Sequence, residues 1–383
     1  MQFDWDAGQL AYRDSVRDFA RRELGEKLRE RDAEGAFSVD AWRKCAEIGI
    51  QGLPVPVEYG GSGAEPTTIA LALETLGYGC RDNGLLFSLN AHMWACETPI
   101  VRFGTEEQRR RYLPGLCDGS LIAAHGMSEA DTGSDAFAMA TSAVPSASGD
   151  SYRLTGRKVW TTNAPVADVF IVFATISGRS GLGALSAFLV DRETPGLETG
   201  PPVEKMGLRT SPMSEVILED CEVPASAMLG TPGSGMAIFN SSMDWERSFI
   251  LACAIGTAAR HLDETVAYAK QRKQFGRPIS QFQSISHRIV DMRVRLEAAR
   301  LFLYDLAWKK TQGKSTAVES AMVKLFLSEM VVQSSLDALH VHGALGYTVE
   351  SGIEREVRDA LASRIYSGTS DIQRNLIAQR MGL

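Results

Sequence analysis

The sequence predicts an α+β protein built as three consecutive blocks: helical, strand-rich and helical again. Three observations carry that prediction. Helix-period apolar patterns fill residues 1–120 and 231–383. Runs of β-branched and aromatic residues, separated by turn signals, fill residues 121–230. Strands and helices are segregated along the chain, so a doubly wound sheet is excluded.

The elements follow in order. Leu10, Asp14, Val16, Phe19 and Ala20 mark an amphipathic helix ending near Gly25, and Ser38 is placed to cap a second from Val39 to Ile48. Pro and Gly punctuate Pro54–Gly63, which reads as a loop. Thr67–Leu76, Leu86–Phe103 and Glu106–Leu113 read as helices, the last stopping before Pro114. In the second block, strands are expected from Tyr152, Val169, Leu185 and Val216. Turns at Ser148-Gly149-Asp150 and Pro195-Gly196 make the domain antiparallel. The third block holds Ala237–Lys270, Phe282–Thr311, Thr316–Leu339 and Asp371–Met381, four segments that form an antiparallel bundle.

Composition narrows the function classes. The 383 residues carry a formal charge of −7, against bulk nucleic-acid binding. No apolar run is long enough to span a membrane. The start, Met1–Asp6, has no basic and no apolar leader segment, which predicts a cytoplasmic protein. Six scattered Cys without a Cys-x-x-Cys, and six His, predict neither disulfides nor a metal site.

One carboxylate stands out. Phe239, Met243, Phe249, Ile250 and Cys253 lie at i−7, i−3, i+3, i+4 and i+7 from Glu246 and share its helix face. No Lys or Arg lies at i±3 or i±4. A carboxylate buried on that stripe has a raised pKa and suits removal of a weakly acidic C–H proton. The competing reading places Glu246 at the stripe's edge, or paired with a distant Arg.

The remaining motifs are Gly126-Met-Ser-Glu-Ala-Asp-Thr-Gly-Ser-Asp135, Lys158-Val-Trp-Thr-Thr-Asn163, Arg272-Lys-Gln-Phe-Gly276, Phe282-Gln283, His342-Gly-Ala-Leu-Gly-Tyr347 and Tyr366-Ser-Gly-Thr-Ser-Asp-Ile-Gln-Arg374. Their order and spacing resemble the acyl-CoA dehydrogenase family of flavoproteins over residues 5–383. The resemblance implies an N-terminal helical domain (1–120), a central β-domain (121–230), a C-terminal four-helix bundle (231–383), FAD and a homotetramer. It implies that Met127 and Ser128 contact the flavin, that Trp160 packs beside it and that Thr162 hydrogen-bonds its N5 edge. Arg272, Phe275, Gln283 and Gly343 correspond to a cradle for the FAD of a neighbouring subunit. Thr369 and Asp371 fall near the FAD pyrophosphate, and Ser134 on the substrate-side loop. Tyr366 and Ser367 border the substrate. Thr132, His340 and Ala344 depart from the family's usual residues.

Where many members carry the catalytic Glu, this chain has Ser367. A minority, resembling isovaleryl- and long-chain acyl-CoA dehydrogenases, place the Glu on the long helix directly before an Arg. Glu246-Arg247 matches that arrangement, so the resemblance and the helix stripe meet at one residue. Asn163-Ala-Pro-Val-Ala-Asp168, Met243-Asp-Trp-Glu246 and the 365–373 segment are similar to a natural-product subgroup that includes prolyl-carrier-protein dehydrogenases. The expected reaction is α,β-dehydrogenation of an acyl thioester on a carrier protein, with Glu246 as base, Arg247 fixing it, and hydride transfer to flavin N5. Arg109-Arg110-Arg111 is the candidate contact for an acidic carrier, against the alternative of a solvated helix face. Free CoA esters, and a flavin monooxygenase on the same fold, are the alternatives. The electron acceptor is an electron-transfer flavoprotein or oxygen.

Overall fold

The computed structural model describes residues 5–179 and 181–383. Met1–Asp4, part of the segment read for a leader, lie outside the described residues. The first block holds α1 (Ala7–Glu23), α2 (Leu28–Glu34), α3 (Val39–Glu47), α4 (Pro66–Gly79), α5 (Asn83–Ala91), α6 (Thr98–Phe103) and α7 (Glu106–Cys117). Ser38 caps α3 by accepting from the Ala41 N–H. The expected Leu86–Phe103 helix is present but interrupted: His92–Glu97 winds as a π segment. The Ser242 hydroxyl donates to the Trp94 carbonyl there, at 3.0 Å. α7 runs through Pro114 rather than stopping before it. So close to the helix end the proline forfeits only one backbone bond.

The strands are β1 (Ala123–Gly126), β2 (Ser142–Pro145), β3 (Ser151–Thr162), β4 (Val169–Ile176), β5 (Leu185–Asp191), β6 (Leu197–Thr199), β7 (Met213–Pro224) and β8 (Met228–Leu229). They form one sheet in the order β6-β7-β3-β2-β4-β5-β8, with β1 also on β4. Most pairings are antiparallel, as expected. β1 and β2 depart from this, both running parallel to β4 and lying end to end along one of its edges. The chain between them, residues 127–141, loops out of that edge. β4 is buried along nearly its whole length, as a central strand covered on both faces must be.

The last block holds α8 (Gly235–Phe249), α9 (Ala252–Gln271), α10 (Gln283–Thr311), α11 (Ala317–His342), α12 (Ile353–Leu361) and α13 (Ser370–Met381). The single helix expected over Ala237–Lys270 is broken at Ile250–Leu251. The break redirects α9 across α4, where Gly256 and Gly77 allow backbone contact. A Cβ at Gly256 would lie 1.8 Å from the Glu74 carbonyl oxygen, and one at Gly77 1.9 Å from that of Cys253.

α12 has no counterpart in the sequence reading. Its Glu354-Arg-Glu-Val-Arg-Asp run carries little apolar surface, and ion pairs hold it instead: Arg260–Glu356 at 3.0 Å and Arg358–Asp32 at 2.7 Å. The N-terminal helices and the bundle share one core containing Trp42, Trp94, Phe249, Leu296 and Leu327. A second core joins one sheet face to α6, α7 and α8. No helix among the described residues is long and apolar enough to cross a membrane.

Candidate active site

Glu246 sits on α8 at 8% exposure, with Met243, Phe249 and Ile250 buried on its face. Cys253 lies past the helix break, at the start of α9. The Ser367 hydroxyl donates to Glu246 Oε1 at 2.5 Å, across 121 positions of sequence. Burial pushes the Glu246 carboxyl above its ordinary value, and the Ser367 hydroxyl and the charges of Arg247 and Lys324 pull back only in part. The carboxylate is thus a stronger base than a solvated Glu.

Ser367 lies in a turn that it and Gly368 enter with φ of +56° and +86°. Gly368 is required there: a Cβ would meet Gln373 Nε2 at 2.7 Å. Arg247 Nε donates to the Ser367 carbonyl at 3.3 Å and Gln373 Nε2 to the same oxygen at 3.1 Å. Arg247 is therefore an anchor of this turn. The Ser367 N–H donates to no protein acceptor among the described residues. Tyr366 packs at a tilt against Phe87, centroids 4.5 Å apart, and burial holds its hydroxyl neutral. Leu86, Phe87, Ile250, Leu251, Ala254 and Tyr366 border a cavity of about 50 Å³.

A second cluster forms where residues 127–141 leave the sheet. Glu129 is its hub. Its carboxylate accepts from Ala140 N at 2.6 Å, Thr141 N at 3.0 Å, Thr141 Oγ1 at 2.5 Å and Lys158 Nζ at 2.8 Å. Burial opposes ionisation, but the Lys158 and Thr141 bonds outweigh it and hold the carboxyl down at about 2. Val159 N donates to the Ser128 carbonyl at 2.9 Å, which pins the loop to β3. The β3–β7 register slips between Lys158 and Thr161. In that bulge Trp160 adopts φ +53° and turns outward, 55% exposed.

Met127 and Ser128 offer backbone N–H groups with no protein acceptor among the described residues, and the Thr162 hydroxyl makes no protein hydrogen bond. Free donors beside an exposed indole fit a planar, acceptor-rich flavin ring. Ser134 is exposed on the same loop. α8 joins the two clusters. Phe239, two turns before Glu246, packs against Phe137 of the loop at 5.6 Å and His125 of β1 at 6.3 Å.

The other candidates lie apart. Arg272 and Phe275 occupy a hairpin, Lys273–Gln274 against Arg277–Pro278, at the far end of α9. α9 separates them from the Glu246 region by about 30 Å, at 1.5 Å per residue. Phe275 has φ +49° and is 93% exposed. Gln283 opens α10, and Gly343 closes α11 with φ +59°. Both adjoin the hairpin through a small cluster of Ala269, Ile279 and Val341. Thr369 caps α13 by accepting from Ile372 N at 3.2 Å, and Asp371 pairs with Arg374 at 2.9 Å. Arg110 and Arg111 are engaged within the chain, by Glu106 at 2.6 Å and Asp191 at 2.5 Å.

Glu129 and Lys158 were missed in the sequence. Their signal was a lone Lys inside a strand and an acid within a hydroxyl-rich loop, which becomes meaningful only once β3 is seen to back that loop.

Three domain models match the chain: acyl-CoA dehydrogenase N-terminal domain over residues 6–120, middle domain over 124–221 and C-terminal domain over 233–382. The chain belongs to the acyl-CoA dehydrogenase family. Membership makes it a flavin oxidoreductase acting on a CH–CH bond, with FAD as cofactor. It is 42% identical over 383 residues to an L-prolyl-[peptidyl-carrier protein] dehydrogenase of Serratia sp. (strain ATCC 39006), covering 100% of this chain and 99% of that protein. The crystal structure of the prolyl acyl carrier protein oxidase AnaB superposes with TM-score 0.97 at 47% identity, covering 99% and 100% of the two chains. The structure of PigA with FAD and proline superposes with TM-score 0.97 at 42% identity, covering both chains fully.

Proposed function

We propose that this enzyme oxidises the α,β bond of a compact acyl group, a prolyl group foremost, held as a thioester on a carrier protein. Glu246 removes the α-proton. The observation that carries this reading is a buried carboxylate on an apolar helix face whose one hydrogen-bond donor is a neutral hydroxyl. A flavin monooxygenase on this fold need not carry an α-carbon base, so a buried Glu246 counts against that alternative. FAD, when bound, supplies the hydride acceptor. The protein's part is to orient the thioester, exclude water and hold the proton on Glu246 Oε. The free Ser367 N–H is a ready donor to the thioester carbonyl, which stabilises developing enolate charge and acidifies the α-carbon.

Carrier-bound prolyl substrate is supported by the Serratia L-prolyl-[peptidyl-carrier protein] dehydrogenase and by the prolyl acyl carrier protein oxidase AnaB. Arg110 and Arg111 make only surface ion pairs, with Glu106 and Asp191, and with Arg109 they remain the candidate contact for an acidic carrier. The Arg272–Phe275 hairpin, too far along α9 to serve its own Glu246 site, suits a second copy's FAD within a homotetramer. Six free, buried cysteines suit a cytoplasmic protein.

The test is anaerobic mixing of the FAD-loaded enzyme with prolyl-carrier protein and, separately, prolyl-CoA. Fast flavin bleaching by the carrier substrate, and slow bleaching by the CoA ester, is expected. Equal rates would remove the carrier assignment. Bleaching by neither, with reductant-driven oxygen insertion, would establish the monooxygenase.

A further inference from the structure

Lys324 lies in the first third of α11 and is completely buried, yet it forms no ion pair among the described residues. Its Nζ donates to the Ser363 carbonyl at 2.8 Å and to the Gly368 carbonyl at 2.8 Å. These two oxygens bracket the segment that carries Tyr366 and Ser367. The ammonium also stands 5.6 Å over the Tyr366 ring. The Ser328 hydroxyl, one turn along α11, donates to the same Ser363 carbonyl at 2.9 Å.

A buried ammonium is costly, and two carbonyls plus a ring face repay only part of that. Its pKa falls to about 7, through burial first and then the charge of Arg247. The charged groups around it are few. Glu246 and Arg247 face it from α8. Glu329 lies on its own helix, paired with Arg364 at 2.5 Å. The neutral Tyr366 comes from the turn. No feature of packing alone calls for an amine here; a Met of similar length would fill the space at less cost. What the amine does supply is a rigid bridge across a turn with two consecutive left-handed residues, a conformation that Ser367 adopts only at some cost.

We infer that Lys324 is a positioning residue for the dehydrogenation: it clamps the 363–368 segment so that the Ser367 hydroxyl stays on Glu246 and the Ser367 N–H stays free for the thioester carbonyl. Lys324 touches neither Glu246 nor substrate, and it acts through the turn. Its charge also tempers the basicity of Glu246, so loss of the amine both loosens the turn and leaves the carboxyl easier to protonate.

The inference rests on Glu246 being the base, and the experiment separates the two. FAD-loaded wild type, Lys324→Met, Ser367→Ala and the double variant are mixed anaerobically with prolyl-carrier substrate across pH 5–9, a range of roughly the window in which perturbed carboxyls and Lys324 titrate. Lys324→Met is expected to lower the bleaching rate and move its acid limb up by about one pH unit, the size of effect a neighbouring charge has on a carboxyl. In the Ser367→Ala background the same substitution should move the limb less, because the part transmitted through the Ser367 hydroxyl is already gone and only the direct effect of the lost charge remains. Equal shifts in both backgrounds, or a wild-type profile in Lys324→Met, would overturn the inference. If Lys324→Met does not hold FAD, Lys324→Leu, which likewise removes both donor and charge, carries the same test. If neither variant holds FAD, Lys324 serves folding alone and the inference fails. Glu246→Gln runs alongside: full bleaching there defeats the base assignment itself, whatever Lys324 does.

Discussion

Two buried glutamates in this molecule have opposite fates. Glu129, where the 127–141 loop leaves the sheet, accepts from two backbone N–H groups, one hydroxyl and one ammonium, and is held at about 2. Glu246, on α8, has one hydroxyl donor and is pushed upward by burial. Burial is common to both. The partners decide whether the carboxylate becomes a fixed strut or a base. The strut fixes the 127–141 loop to β3, and the raised carboxyl is the one proposed as base.

The contrast breaks hardest at the base. Glu246→Gln preserves shape and the Ser367 contact but removes proton affinity. Its rate of anaerobic bleaching should fall by about 10²–10⁴-fold, with FAD content and thermal unfolding unchanged. The strut fails differently. Lys158→Met leaves Glu129 buried and unpaired, and denaturant titration should show a loss of about 3–5 kcal/mol, the usual cost of breaking a buried pair. Activity should fall only as far as the folded, FAD-bound fraction falls.

Acid separates the two again. Glu129 has a depressed folded pKa, so its contribution to stability is full above the ordinary value of 4.5 and is lost as pH falls toward about 2. Glu129→Gln, followed by acid titration of unfolding, should flatten that window. Glu246, with a raised pKa, is protonated and idle on the acid side and becomes active as pH rises through its shifted value. Ser367→Ala gives the smallest effect: without its donor the base is easier to protonate, and the acid limb of bleaching should move up by about one pH unit.

The sequence exposed Glu246 and concealed Glu129 for one physical reason. Glu246 is defined by residues within seven positions of it, so helix periodicity alone displays its face. The break at Ile250–Leu251 keeps Phe249 and Ile250 on that face and removes Cys253 from its helical register. Its partner Ser367 is 121 positions away. The motif resemblance implied that Ser367 borders the substrate, yet only the packing of α8 and α13 on α11 brings its hydroxyl to the carboxylate. Glu129 meets Lys158 through the pairing of strands, a register that composition does not reveal. α12 was illegible because its burial depends on ion pairs to α9 and α2 rather than on an apolar stripe. The hairpin at Arg272 was legible as a motif, but its roughly 30 Å offset along α9 emerges only from helix geometry.

The central claim is that Glu246 itself takes the α-proton. The most direct measurement uses prolyl-carrier substrate deuterated at the α-carbon, mixed anaerobically with FAD-loaded wild type and Glu246→Gln. Flavin bleaching and release of α-deuterium to solvent are followed together. Wild type should show both, and the variant neither. Deuterium release from Glu246→Gln at the wild-type rate would contradict the account and place the base on another residue.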